Sequence, residues 1–413
     1  MCRKKNPEVI NLLRIDSSKL NTKELLKMKM IYHIFKADVY FLTLGLIESI
    51  IKFSGHKHFF VVVGVNESNK CYYNDLFLRY HYSQYIYINE KSSSKKTRII
   101  SDISKRFLKT EFHNFEIDLL KYIPSLSNPV IVLHGDYSTM FYLLLCLNRD
   151  VHKNWVCWGH IYFLHKEMNK RLYKIRNTVY KNIYSSYSNI ICLMQPDSNE
   201  LKNLYKLKNT LFLPYYDEFP LIIEKLKLVE TNKDNTIRIL LGNSGRCIDS
   251  YYEDLGKFKI YINNNISIDC MLNYGSTEIE NLNLIKTGTL IYGTKFKAHT
   301  VLWPKEQYYN FMNKFDIYIS SKKTQSGLGA IYLLLLLGKK VFLAGKNFEH
   351  IKNMGAIVFH SDQIYEFSFQ DFSCPLTIDE RKHNYSVTMK FLDCESVALK
   401  WDHFYDVIIT QSN

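Results

Sequence analysis

The sequence predicts two doubly wound α/β domains facing a cleft. Short apolar runs rich in β-branched residues recur along the chain, and many are followed by a stretch with helical spacing. No hairpin signal joins consecutive runs, so the strands belong to parallel sheets covered on both faces. At 413 residues the chain is long enough for two hydrophobic cores.

In the first half, residues 1–28 read as a loose leader or short helix. Met30–Phe35 is the first strand, and Phe41–Phe53 has helical spacing. His58–Val63 is a second strand, closed by Gly64, and Gln84–Ile88 alternates as a third. A Ser/Lys loop over 89–98 leads into a helix expected over Ser101–Phe112. Val130–Leu133 is a buried strand ending at His134-Gly135-Asp136, with a helix over Thr139–Leu147. Trp155–Trp158 is a strand closed by Gly159, a long helix follows over Phe163–Tyr184, and Ile190–Leu193 is the next strand.

Leu213-Pro214, the acidic pair Asp217-Glu218 and the polar run Glu230–Asn235 read as a hinge. A second series starts at Ile237–Leu241. It continues with strands expected at Ile266–Leu272, Thr289–Tyr292, Phe315–Ser320, Lys340–Leu343 and Ala356–Phe359. The expected division is a first domain over 1–220, a linker over 221–235, a second domain over 236–386, and a C-terminal helical stretch over 387–413 placed to cross back to the first domain.

Composition bounds the function classes. Lys and Arg total 54 against 40 Asp and Glu, a net charge of +14, which suits an anionic partner: a membrane surface, a nucleic acid or a phosphorylated substrate. A Lys bias on an ordinary solvated surface competes with that reading. The 9 cysteines form no Cys-x-x-Cys pair and several lie in apolar runs, as expected of reduced core residues. The longest apolar runs are far short of a membrane span, and Met1–Lys29 is too polar for a signal peptide. No His/Cys/Asp/Glu cluster has metal-ligand spacing, and there is no Asp-x-Asp, so a metal-independent site is expected.

Two loops suit a phosphate. Gly242-Asn243-Ser244-Gly245 ends the Ile237 strand ahead of a helix expected from about Asp249. Such a junction leaves backbone N–H groups at a helix N-terminus. Gln325-Ser326-Gly327-Leu328-Gly329 repeats the arrangement ahead of the apolar run Ala330–Leu337, with Lys322 and Lys323 nearby. The pair suits a nucleoside diphosphate, while packing glycines in an ordinary α/β domain would explain the same letters. Tyr274 and Gly275 end the next strand and suit either a nucleotide ring or a turn.

In the first half, His134 and Asp136 stand at a strand C-terminus, where either could deprotonate an acceptor hydroxyl. A helix cap by Asp136 and a hydrogen-bonded core His134 are the plainer readings. Trp158 could stack on a sugar or belong to the core, and His160 is a third candidate base. On the Phe163–Tyr184 helix, Lys166, Lys170, Lys174 and Lys181 share the face opposite an apolar stripe, with Tyr173 and Tyr180 along one edge. That is either a solvated face or a docking face for anionic lipid.

Together these segments resemble the family 56 glycosyltransferases, the bacterial N-acetylfucosamine transferases of enterobacterial common antigen synthesis. The resemblance runs over about residues 29–360. It rests on Val61-Val62-Val63-Gly64, His134-Gly135, Trp155–Gly159, Leu240–Gly245, Tyr274-Gly275 and Gln325–Gly329 with its Leu-rich helix. The chain departs from the family at His160-Ile161, at 263–269 and in the Lys-rich tail.

The resemblance implies a GT-B fold and an enzyme, a glycosyltransferase with no required metal or other cofactor. It places a dTDP-sugar donor on Gly242, Asn243, Ser244, Gly245, Tyr274, Gly275, Gln325, Ser326, Gly327 and Gly329. A polyprenyl-diphosphate-linked glycan would lie near Gly135, Trp158 and Gly159 in the first domain. The expected place is the cytoplasmic face of the bacterial inner membrane, held peripherally, in common-antigen or O-antigen synthesis. A non-catalytic basic protein binding RNA or nucleotides is the competing class, although no RNA-binding signature is present.

Overall fold

The computed structural model describes residues 29–89, 102, 113–126, 129–148, 151–158, 170–207, 209–215 and 235–412. In the first domain, strands and helices alternate as β1 (Met30–Lys36), α1 (Tyr40–Phe53), β2 (Lys57–Val65), α2 (Glu67–Arg79) and β3 (Tyr85–Asn89). Then come α3 (Asn114–Tyr122), β4 (Val130–His134), α4 (Thr139–Cys146), β5 (His152–Cys157), α5 (Lys170–Ser185), β6 (Asn189–Cys192), α6 (Gln195–Tyr205) and β7 (Thr210–Phe212). The sheet has seven strands in the order β3-β2-β1-β4-β5-β6-β7, and each pairing is parallel.

The second domain runs β8 (Ile237–Leu241), α7 (Ile248–Lys257), β9 (Ile266–Met271), α8 (Glu278–Tyr292), β10 (Phe296–His299), α9 (Lys305–Asn313) and β11 (Ile317–Ser320). It continues α10 (Leu328–Leu336), β12 (Lys340–Leu343), α11 (Gly345–Asn353), β13 (Phe359–His360), α12 (Phe369–Ser373) and α13 (Ile378–Phe391), and α14 (Cys394–Gln411) ends the chain. Its six strands are ordered β10-β9-β8-β11-β12-β13. In both sheets the strand order reverses beside the first strand, at β1/β4 and at β8/β11. Open α/β sheets bind ligands in the crevice beyond that point.

The strands are buried on both faces, which is why their sequences read as continuous apolar runs. Val61, Val63, Ile131 and Leu133 face one core layer of the first domain, and Phe60, Val62, Val130 and Val132 face the other. α10 is anchored by its own leucines: Leu333, Leu334 and Leu335 are fully buried in a mixed aliphatic and aromatic layer.

Three departures from the sequence reading have local causes. Thr289–Tyr292 is not a strand but the last turn of α8. A capping box starts that helix: Thr277 Oγ1 accepts from Glu280 N at 3.3 Å, and the Glu280 carboxylate accepts from Thr277 N at 2.7 Å. The helix carries past the Leu-Ile-Tyr triplet, and the strand forms at Phe296–His299. β7 is a short edge strand immediately before Leu213-Pro214. The C-terminal stretch is two helices, separated at Leu392-Asp393, with Asp393 capping α14 through Ser396 N. The expected helix over Ser101–Phe112 lies outside the described residues except Asp102, as does most of the hinge.

α14 packs on the first sheet. Val397, Trp401, Phe404, Tyr405 and Ile408 join the layer built on Val62 and Val132. Trp401 is 2% exposed and its Nε1 donates to the Pro214 carbonyl at 2.9 Å. Removing a buried Trp of this kind costs about 3–5 kcal/mol, so the helix grips the last described turn before the hinge. Lys346 on α11 forms a second tie between the domains, reaching Asp197 Oδ1 at 2.6 Å and the Glu200 carboxylate, both on α6.

Candidate active site between the two sheets

The two glycine loops meet at the β8/β11 switch point. Gly242 (φ +55°) and Gly327 (φ +62°) both adopt the left-handed region, which glycine enters without a Cβ clash. A Cβ on Gly327 would lie 2.5 Å from Asn243 Cγ, so only glycine lets the two loops touch. Ser326 Oγ donates to Asn243 Oδ1 at 3.1 Å, and Asn347 Nδ2 fixes the Ser326 carbonyl at 2.7 Å. A Cβ on Gly245 would fall 1.8 Å from Ser276 Oγ, which brings in the loop after β9. Gly329 lies in the first turn of α10.

The loops have the chemistry that suits an anion. α10 starts at Gly327 with no side chain capping it, so its first N–H groups are left to a ligand. Arg246 is exposed, with its guanidinium 6.0 Å from the centre of the Tyr274 ring. Gly275 (φ +87°) leaves room for the Arg246 stem. Gln325 Oε1 and Asn273 Oδ1 are buried without a hydrogen-bond partner among the described residues.

Across the cleft, Asp136 follows β4 at the other switch point. It does not cap α4; Ser138 does, accepting from Phe141 N at 3.1 Å. Asp136 Oδ1 is buried with no partner among the described residues. Burial pushes the carboxyl up to about 6, against the pull of Lys36 in its own domain and Arg246 in the other. Lys36 ends β1 with its ammonium 5.6 Å from the centre of the Tyr137 ring. A carboxyl raised to about 6, with its buried oxygen unpartnered among the described residues, is suited to exchange a proton with a bound hydroxyl.

His134, the other candidate at this strand end, does not face the cleft. It is fully buried, with Nε2 3.0 Å from His33 Nδ1 and Nδ1 2.8 Å from the Tyr215 hydroxyl. Both ring nitrogens are engaged in the core, which removes it as the base. Gly159 and His160 lie outside the described residues. Trp158 is half-buried. Its ring lies against Gly135, where a Cβ would come within 2.8 Å, and Nε1 donates to the Tyr215 hydroxyl at 3.1 Å.

Sequence reading missed Lys36, Arg246 and Tyr215. Arg246 had a signal, since it directly follows Gly245. Lys36 closes the first strand, a position that gains meaning only once β1 and β4 are known to be neighbours. Of the expected lipid-facing residues, Lys166 lies outside the described residues, Lys170 and Lys174 lie on α5, and Lys181 is exposed. Tyr180 takes no part in such a face: it is 2% exposed and its hydroxyl meets Thr139 Oγ1 at 2.6 Å. Among the described residues no helix is long and apolar enough to cross a membrane.

The buried imidazoles make stability acid-sensitive. His33, His58 and His134 are each held well below the usual histidine range, first by burial. An unfolded histidine titrates near 6.5. Below that pH the unfolded chain therefore binds protons that the native one refuses, and stability is lost as pH falls. Asp136 and Asp254, both raised to about 6 by burial, act in the opposite direction. His350, lowered to about 4 by burial, and His152, also lowered, add to the imidazoles, while Glu116, raised by burial, adds to the carboxyls. The imidazoles outweigh the carboxyls, so urea unfolding should show roughly 3 kcal/mol less stability at pH 5.5 than at pH 7.5. Equal stability at the two pH values would contradict this assignment of neutral, buried rings.

Two parallel Rossmann-like sheets with facing switch points make this a GT-B fold, the architecture of a large class of glycosyltransferases. No protein-family model matches the chain, and no curated protein matches it. Solved structures do. Sucrose-phosphate synthase from Thermosynechococcus elongatus is 10% identical over 93% of this chain and 100% of that one, with a TM-score of 0.62. A glycosyltransferase from Rickettsia africae is 14% identical over 92% of this chain and 99% of that one, at 0.60. An E. coli trehalose-6-phosphate protein bound with UDP-2-fluoro glucose is 10% identical over 93% and 99%, at 0.58. At such identities the likeness establishes the fold.

Proposed function

We propose that the chain is a glycosyltransferase that moves a sugar from a nucleoside diphosphate to a hydroxyl held against the first domain. One observation carries this: Asp136 Oδ1 is buried with no partner among the described residues, and Arg246, beside the glycine loops, acts on that carboxyl from the other domain. A GT-B neighbour that holds a UDP-sugar supports the same reading.

In this reading the α10 N-terminus, the Gly242–Gly245 loop and Arg246 bind the diphosphate and stabilise the charge it gains on departure. Lys322, 3.9 Å from Asp249 and partly exposed, adds positive charge beside the cradle. Fixed positive groups then do what a divalent cation does elsewhere, so no metal is required. Asp136 takes the proton of the attacking hydroxyl, and Trp158 lines the acceptor side.

The finer identity rests on the family 56 resemblance. The donor is a dTDP-linked deoxyamino sugar of the N-acetylfucosamine type. The acceptor is a polyprenyl-diphosphate glycan of a bacterial surface polysaccharide, met at the cytoplasmic face of the inner membrane. Peripheral attachment suits the net charge of +14 and the exposed Lys181.

The test is a panel of nucleotide sugars in excess EDTA, with the acceptor lipid carried in anionic vesicles. One donor class should be turned over despite the chelator, and the protein should sediment with the vesicles. Turnover that stops in EDTA and returns with magnesium would overturn metal independence, and no turnover of any donor would overturn the transferase reading.

A further inference from the structure

Behind Trp158 a line of hydrogen bonds runs across three neighbouring strands of the first sheet. The Tyr215 hydroxyl accepts from Trp158 Nε1 at 3.1 Å and lies 2.8 Å from His134 Nδ1. His134 Nε2 is 3.0 Å from His33 Nδ1, and His33 Nε2 is 2.9 Å from His58 Nδ1. His58 Nε2 lies 2.7 Å from Ser54 Oγ, and Ser54 donates to the Asp402 carboxylate on α14. The line thus runs from the cleft end of β4, across β1, to the opposite end of β2.

Its far end fixes its direction: Ser54 gives its one proton to the Asp402 carboxylate and so must accept from His58 Nε2. At the near end the Trp158 indole N–H can only donate, and the Tyr215 oxygen accepts it whichever way its own proton points. Between them, each neutral imidazole has one N–H and one lone pair. One assignment satisfies every link: Tyr215 donates to His134, and each histidine donates through Nε2 to the next residue. Reversing any member sets two donors or two acceptors face to face in a buried site, where unmade bonds are costly. Aromatic walls enclose the line: the Phe35 ring lies 4.1 Å from that of His134, and the Tyr405 ring 4.9 Å from that of His58.

We propose that Tyr215 is a positioning residue of the acceptor side: its hydroxyl holds the Trp158 indole over Gly135, next to Asp136, and the histidine line keeps that hydroxyl turned toward Trp158. The acceptor-side role rests on the transferase reading above; the positioning of the indole does not. Tyr215 also directly follows Pro214, whose carbonyl Trp401 holds.

The experiment follows the Trp158 indole N–H in the full-length chain labelled with 15N-tryptophan, the resonance being assigned with Trp158→Phe. Tyr215→Phe should move that resonance and speed its solvent exchange at least about tenfold, as loss of one hydrogen bond allows. Ser54→Ala, a mild change at the half-buried far end, should also move it, because the line loses its fixed direction, while the Trp303 indole stays put. An unmoved Trp158 resonance in either variant overturns the proposal.

A second arm uses a short-chain lipid-linked acceptor. Tyr215→Phe should raise acceptor KM about tenfold with donor KM and kcat little changed. A flat acceptor KM alongside an altered indole overturns the acceptor-side role. If wild type shows no transfer, the transferase reading fails, and the indole measurement still decides the positioning.

Discussion

Asp136→Asn should lower the rate of sugar transfer by about 10²–10⁴-fold, the range a positioned general base contributes. The amide keeps the shape of the side chain but cannot accept a proton from the acceptor hydroxyl. No helix cap is lost, because Ser138 caps α4, and Asp136 Oδ1 has no partner among the described residues to orphan. Donor affinity should therefore hold. The wild-type pH profile gives an independent check. The carboxyl is pushed up to about 6 by burial, and only its ionised form accepts a proton, so kcat/KM should rise through that pH. The acid loss of stability lies in the same window, which makes a folding control at each pH part of the measurement. A variant that retains wild-type turnover would remove Asp136 from the chemistry.

The fold was legible because buried parallel strands write themselves as apolar runs. Ile237–Leu241 and Lys340–Leu343 fall where the sequence placed them. Thr289–Tyr292 failed for a reason local to the chain, since a capping box upstream outweighed a strand-like triplet. The glycine loops were legible as well, because left-handed backbone at a strand end leaves a residue signature.

The partner of the cradle was harder to read. His134 and Asp136 are two residues apart at one strand end, and the sequence cannot say which of them points inward. The structure separates them through His33 and His58, each far away in the chain yet within 3.0 Å of the next ring. Arg246 and Lys36 gain significance only when the strand orders place β8 next to β11 and β1 next to β4. Lys346 and Trp401, which tie the domains together, carry no local pattern at all.

Gly327→Val should lose donor binding by about 100-fold, equivalent to roughly 2.7 kcal/mol. The sequence suggests that glycine here leaves room for a diphosphate. The structure adds that it leaves room for Asn243, 2.5 Å from where a Cβ would stand. Valine cannot comfortably adopt φ +62°, and its Cβ would push the two loops apart. The cradle would then open while the buried leucines of α10 kept the domain folded. Calorimetric titration of dTDP-sugars into the wild-type chain and into folded Gly327→Val tests the central claim most directly. The account predicts that the wild type binds a nucleoside diphosphate sugar and that the variant, with unchanged circular dichroism, binds it about 100-fold more weakly. Wild-type affinity in the folded variant, or no binding of any nucleotide sugar by the wild type, would contradict it.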